Sequence, residues 1–214
     1  MADRDLHYGG SASGLDFTAF YREFRPSLVG LGVLLCGNLQ DAEDAAQCAL
    51  EEARIRWADI SHPRAYTRKA LIRQLTGSRR WWHSFKSPAE QEIPLPGDSP
   101  VEEHMRVLDI LAAVDKLPRR QRQVMSLLGE HELTVPEIAE ILGVTTNAVH
   151  QNIHHARPKL RMLLALEPGP VSSGDRFAAL SPSDELVVLL RTAVSLLRRG
   201  VRAAQSAGRG EGHR

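Results

Sequence analysis

Three groups of side chains in this 214-residue chain have types and spacings that could do chemistry. Along residues 145–161, Thr145, Thr146, Asn147, His150, Gln151, His154, Arg157 and Arg161 crowd hydroxyls, amides, imidazoles and guanidinium groups onto one helical stretch. Those groups match the base edges and phosphates of duplex nucleic acid in a major groove. Along residues 63–86, Arg64, Arg68, Lys69, Arg73, Arg79 and Arg80 are interleaved with Tyr66, Trp81, Trp82 and Phe85. Cations beside flat rings suit single-stranded nucleic acid, where the backbone is charged and the bases are unstacked. Two of the four rings are expected in the core. The third group, Asp41, Glu43 and Asp44, is an acidic turn that complements a helix N-terminus or faces a basic partner.

Other chemistries lack their residues. His150 and His154 stand at i, i+4, a spacing able to share a metal, but that helix offers no third ligand. No nucleophile motif and no Gly-rich phosphate loop occurs, so the reading is of a non-enzyme without metal or cofactor. Cys36 and Cys48 have no CxxC or Cys/His spacing; they read as two packed free thiols in a reducing cytosol. No N-terminal leader and no apolar run of membrane-spanning length is present, which points to a cytoplasmic protein that binds no membrane.

The elements that must position these groups are helices. In 134–161, Thr134 and Glu137 form a capping-box pattern, and Ile138, Ile141 and Leu142 give an inward face that Gly143 stops. Thr145 can cap a second helix whose Val149, Ile153, Ala156, Leu160 and Leu164 share one side. The pair is a helix-turn-helix with residues 145–161 as recognition helix, and an ordinary αα-hairpin is the competing reading. Against the hairpin, residues 144–164 hold Arg157, Lys159 and Arg161 and no acidic side chain. Pro158 inside this helix predicts a kink.

Upstream, Leu15–Cys36 is helical, with Phe17, Phe20, Phe24, Leu28, Leu31 and Leu35 facing inward and Pro26 kinking or splitting it. Gly37 and Asn38 end it, and Asp41 opens a helix to about Trp57 carrying Ala45, Cys48, Ala49, Glu52 and Ile55. Ser61 and Pro63 start the basic helix, with Tyr66, Ala70, Leu71 and Leu75 inward. Residues 87–100 hold four prolines and no helical period, a linker. Helices follow at 101–117, with Met105, Leu108, Leu111 and Val114 inward, and at 119–129. The reading is all-α: a disordered stretch 1–14, a helical domain 15–86, the linker 87–100, a second helical domain 101–166, and an extension 167–214 with one amphipathic helix. Net charge is +1, but basic and acidic stripes alternate, which permits a phosphate-facing surface in one place and a protein-facing one in another.

DAEDAAQ at 41–47, PRAYTRKALIRQL at 63–75, LPRRQRQVM at 117–125 and LTVPEIAEILGVTTNAVHQNIHHARPKL at 133–160 occur in the order of a known family. Over residues 15–165 the chain resembles the extracytoplasmic-function sigma factors of bacterial RNA polymerase. The resemblance implies that Asp41, Glu43, Asp44 and Gln47 dock on core RNA polymerase. It implies that Tyr66, Arg68, Lys69, Arg73, Arg79, Arg80 and Trp81 melt the minus-ten element of promoter DNA and hold its non-template strand. Residues 101–166 would read the minus-thirty-five duplex, with Arg119, Arg120 and Arg122 near phosphates and Thr145, Thr146, Asn147, His150, Gln151, His154, Arg157 and Arg161 in the groove. An anti-sigma factor is a further expected partner.

The sequence departs from the family pattern in places. Cys48 stands where an acidic residue is usual, Glu51 and Glu52 where basic or apolar ones are frequent, and Arg73 where asparagine is common. His150, Asn152 and His155 stand where Lys or Arg is frequent. Neutral imidazoles lose phosphate attraction, which predicts duplex binding that strengthens as pH falls through about 6.5. Residues 167–214 lie outside the common body, as an autoregulatory cover or an extra docking surface. A stand-alone helix-turn-helix regulator is the alternative function, though it would need neither the acidic helix nor the single-strand-like one.

Overall fold

The computed structural model describes residues 16–77, 93, 95–130, 133–166 and 184–210. The readings of residues 1–14, of Arg79, Arg80, Trp81, Trp82 and Phe85, and of half of the linker lie outside the described residues. Among the described residues are eight α-helices, one 3₁₀ turn (Trp57–Asp59) and no strand.

The first helix, α1 (Phe17–Cys36), starts where the Asp16 side chain accepts from Thr18 N and stops at Gly37, whose φ of 69° is left-handed. Its apolar stripe is so long, from Phe20 through Cys36, that burial carries the helix on past Pro26; of the kink or split expected there, the split does not occur. Asn38 then caps α2 (Leu39–Ile55) by accepting from Asp41 N at 2.9 Å, so α2 begins two residues before the acidic turn that suggested its start. Alanines line its inner face, and Gly32 of α1 packs so closely that an added Cβ would lie 2.8 Å from the Ala42 Cβ. Cys48, expected as a packed thiol, is exposed, as is Ile55: the helix is held by Ala42, Ala45, Ala46, Ala49, Leu50 and Ala53. Helix α3 (Pro63–Gly77) completes this half, burying Ala70, Leu71, Ile72 and Leu75 against α1 and α2.

The second half contains α4 (Val101–Asp115), α5 (Arg119–Leu128), α6 (Val135–Leu142) and α7 (Thr146–Leu163). Met105, expected inward, is exposed, and Val107, Ile110, Leu111, Ala113 and Val114 hold α4 in its place. Helix α7 passes through Pro158 without ending; Pro158 and His154, whose carbonyl loses its usual donor, are both exposed to water. Helix α8 (Glu185–Gly210) lies across both halves, contacting α1 on one side and α4, α5 and α7 on the other. One apolar cluster consequently runs from Phe20 in α1 to Val201 in α8. Among the described residues, no helix is long and apolar enough to cross a membrane.

Candidate nucleic-acid interface

The helix-turn-helix forms as its sequence dictates. Glu137 accepts from Thr134 N at 2.6 Å and the Thr134 side chain meets the N3 backbone, closing the capping box. Gly143 takes φ 64°, which makes the sharp turn, and Ala148 N donates to Thr145 Oγ1 at 3.1 Å to start α7. Val149, Ile153, Ala156 and Leu160 are buried. Thr146, Asn147, Gln151 and His154 are exposed along the first half of α7, with His150 half-buried. That half can enter a groove as it stands.

The second half of α7 is differently placed. Asp184, just before α8, accepts from Arg161 Nη2 at 3.0 Å and forms an ion pair with Arg157; its own side chain is only 6% exposed. Burial lowers the Arg157 pKa, and the neighbouring Arg161 charge adds to the shift. Two expected duplex contacts are thus engaged inside the molecule.

Of the three arginines expected near phosphates, Arg122 does something else. It is buried, pairs with Asp115 Oδ1 at 2.8 Å and donates to the carbonyls of Asp115 and Leu117, fastening the turn between α4 and α5. Desolvation lowers its pKa, opposed by Asp115. Arg119 donates to the Thr76 carbonyl at 3.0 Å and Arg120 to Gln123 Oε1 at 3.1 Å, and both side chains sit on exposed residues.

On α3, Lys69 is exposed and Tyr66 half-buried, flanking a cleft of about 370 Å³ with Arg56 and His62 that Glu140 and Ile141 of α6 close from the other half. Arg68, expected on the solvent face, is buried: its Nη2 donates to Glu130 Oε2 at 2.8 Å, and its guanidinium lies 5.1 Å from the Phe24 ring centroid. Tyr66 donates to Glu52 Oε1 at 2.7 Å, and Arg73 pairs with Glu52 Oε2. That hydrogen bond from Tyr66, with Arg73 beside it, lowers the Glu52 pKa; burial and the same carboxylate raise that of the Tyr66 hydroxyl. Glu52 and Arg73, two departures from the family pattern, are therefore each other's partners. Among the described residues, no group of three or more His, Cys, Asp or Glu side chains could hold a metal ion.

The acidic turn of α2 is partly engaged. Glu43 accepts from Arg25 at 3.1 Å, Gln47 Oε1 accepts from the Tyr21 hydroxyl at 3.2 Å, and Asp44 is exposed with Gln40 at 3.4 Å. Asp41 is half-buried at the helix start. Three acids to which sequence reasoning gave no partner, Glu52, Glu130 and Asp184, decide which cations are available. The only signal for them was charge complementarity between distant stripes, which fixes no pairing.

Comparison with known proteins agrees with this geometry. The family model for sigma-70, region 4, matches residues 108–160, from within α4 to near the end of α7. An RNA polymerase sigma-E factor of Streptomyces coelicolor is 29% identical over 153 residues, covering 69% of this chain and 85% of that protein. RNA polymerase sigma factor SigV of Bacillus subtilis is 26% identical over 133 residues, covering 61% and 80%. The fold is similar to that of the sigma factor RpoE solved with the anti-sigma factor NepR from Bartonella quintana, at a TM-score of 0.61 and 20% identity over 72% of this chain and 99% of that one. It is also similar to CnrH solved with the cytosolic domain of CnrY, at a TM-score of 0.55 and 21% identity over 73% and 94%. The chain thus carries a sigma-70 region 4 match and is similar, over about two thirds of its length, to RNA polymerase sigma factors.

Proposed function

We propose that the chain binds bacterial core RNA polymerase and directs it to promoters, doing no bond chemistry of its own. The observation that carries this reading is the capped helix-turn-helix of α6 and α7, covered up to residue 160 by the region 4 match and preceded by a basic helix and an acidic helix in the family's order. On this reading residues 15–86 dock on the polymerase through Asp41, Glu43, Asp44 and Gln47 and hold the melted minus-ten strand through α3, with Tyr66 and Lys69 foremost. Residues 87–100 link that unit to residues 101–166, which read the minus-thirty-five duplex through Thr145, Thr146, Asn147, His150, Gln151 and His154. The reaction site would belong to the polymerase, and the place of action to the cytoplasm.

One similar structure holds the sigma factor RpoE with the anti-sigma factor NepR and another holds CnrH with the cytosolic domain of CnrY, which supports an anti-sigma partner here as well. The reading is tested by transcription with bacterial core RNA polymerase on a random-sequence duplex library. With the protein present, transcripts should start at a recurrent pair of sequence elements; transcription indistinguishable from core polymerase alone would refute it. Tight duplex binding without polymerase would favour a stand-alone regulator.

A further inference from the structure

The minus-ten and minus-thirty-five elements lie about 25 base pairs apart, roughly 85 Å along B-form DNA at about 3.4 Å per pair. The two DNA-reading units of this chain are packed together: Arg68 of α3 meets Glu130 at 2.8 Å, Arg119 meets the Thr76 carbonyl at 3.0 Å, and α3 touches α6. No single promoter can meet both units in this arrangement, so initiation requires them to separate.

What holds them is α8. Leu186, Leu190 and Leu197 are fully buried, with Val187, Ala193, Val194 and Leu196 beside them, between α1 of the first half and α4, α5 and α7 of the second. The backbone of α8 approaches a glycine in each half. A Cβ on Gly30 would lie 3.3 Å from Arg198 N and 3.5 Å from Val194 O. One on Gly129 would lie 3.0 Å from Val194 Cγ2 and 3.2 Å from Leu190 O. One stretch of α8 is thus fitted to both halves at once. At its start Asp184 caps the helix, accepting from Leu186 N at 3.0 Å, and engages Arg157 and Arg161 of the recognition helix.

We propose that residues 184–210 are an internal clamp that holds the two DNA-reading halves together and covers Arg157 and Arg161, so that the free protein is closed to promoters until α8 is released. This rests on the sigma-factor reading and adds a regulatory element to it. A chain closed about 90% of the time would show apparent promoter affinity about tenfold below its intrinsic value.

The test locks the clamp reversibly in the full chain. An ideal Cβ at Gly30 lies 3.5 Å from the Leu197 Cβ, within the span a disulfide bridges, about 3.5–4.5 Å. Gly30→Cys with Leu197→Cys, in a Cys48→Ser background, is assayed oxidised and reduced for transcription by core polymerase on a duplex selected with the wild-type protein. The oxidised form should be at least about tenfold less active than the same sample after reduction. Equal activity in the two redox states would overturn the clamp. Absence of any transcription with the wild type would instead refute the sigma-factor reading on which it rests. Asp184→Asn, which keeps a capping oxygen and leaves the core untouched, should bind the selected duplex several-fold tighter than wild type. Unchanged or weaker binding would remove Asp184 from the clamp.

Discussion

The Arg68 guanidinium lies 2.8 Å from the Glu130 carboxylate across 62 residues of chain, with both side chains nearly fully buried at 3% and 5% exposure. A buried pair of this kind contributes little net stability, because desolvating both ions offsets their attraction; removing one partner is far more damaging. Glu130→Ala should lose about 3 kcal/mol or more of unfolding free energy in urea. The double replacement Arg68→Met with Glu130→Leu should recover most of that. Equal losses in the single and double variants would show that packing, not charge, dominates the site.

Glu52 holds Tyr66 and Arg73, two groups proposed for the melted strand. Its folded pKa is lowered by the Tyr66 hydrogen bond, so its stabilising effect is present above the unfolded carboxylate value, about 4.3, and disappears as pH falls through the lower folded value. Glu52→Gln should therefore reduce the loss of stability on acidification below about pH 4. It should also raise affinity for single-stranded DNA by freeing Arg73. Thermal unfolding across pH and a fluorescence titration with an oligonucleotide read the two effects; an unchanged acid limb would place the stabilisation elsewhere.

The two cysteines differ in reach. Burial pushes the Cys36 thiol up to about 12, and its Sγ donates to the Asn38 carbonyl at 3.3 Å, whereas Cys48 is exposed. Native protein at neutral pH should therefore take up one maleimide per chain, at Cys48, and two in denaturant. Rapid labelling of Cys36 in the Cys48→Ser variant would mean that the α1 C-terminus opens readily.

Gly143 has φ 64° and open space around the position a Cβ would take. Any penalty for Gly143→Ala is therefore backbone strain, about 1–2 kcal/mol, with weakened duplex binding because this turn sets the angle of α7. A stability change near zero in urea titrations would show that the turn relaxes without cost.

Much of this was legible in the chain. Thr134 with Glu137, Gly143 and Thr145 announced the helix-turn-helix because caps and left-handed turns are local, and each is found in place. The all-α class followed from the 3.6-residue period. Arg68 was misplaced because its residue type outweighed its register: with Leu71, Ile72 and Leu75 it completes an i, i+3, i+4, i+7 stripe, and a buried acid 62 residues away makes that burial tolerable. Arg122 was misplaced likewise, its partner Asp115 lying across a turn. The docking of α8 on both halves depended on Gly30 and Gly129, whose roles appear only when a distant helix arrives. Cys48 was read as packed from its residue type, whereas the inner face of α2 follows its alanines and leaves Cys48 outside it.

The central claim, that the chain is a polymerase subunit docking through α2, is tested most directly by capture of bacterial core RNA polymerase on the purified protein. The comparison variant carries Asp41→Lys, Glu43→Lys and Asp44→Lys. Wild type should retain the polymerase and the variant should lose it, because three reversed charges on one turn oppose any basic docking surface. Failure of the wild type to bind the polymerase would contradict the claim, and undiminished capture by the variant would move the docking surface away from α2.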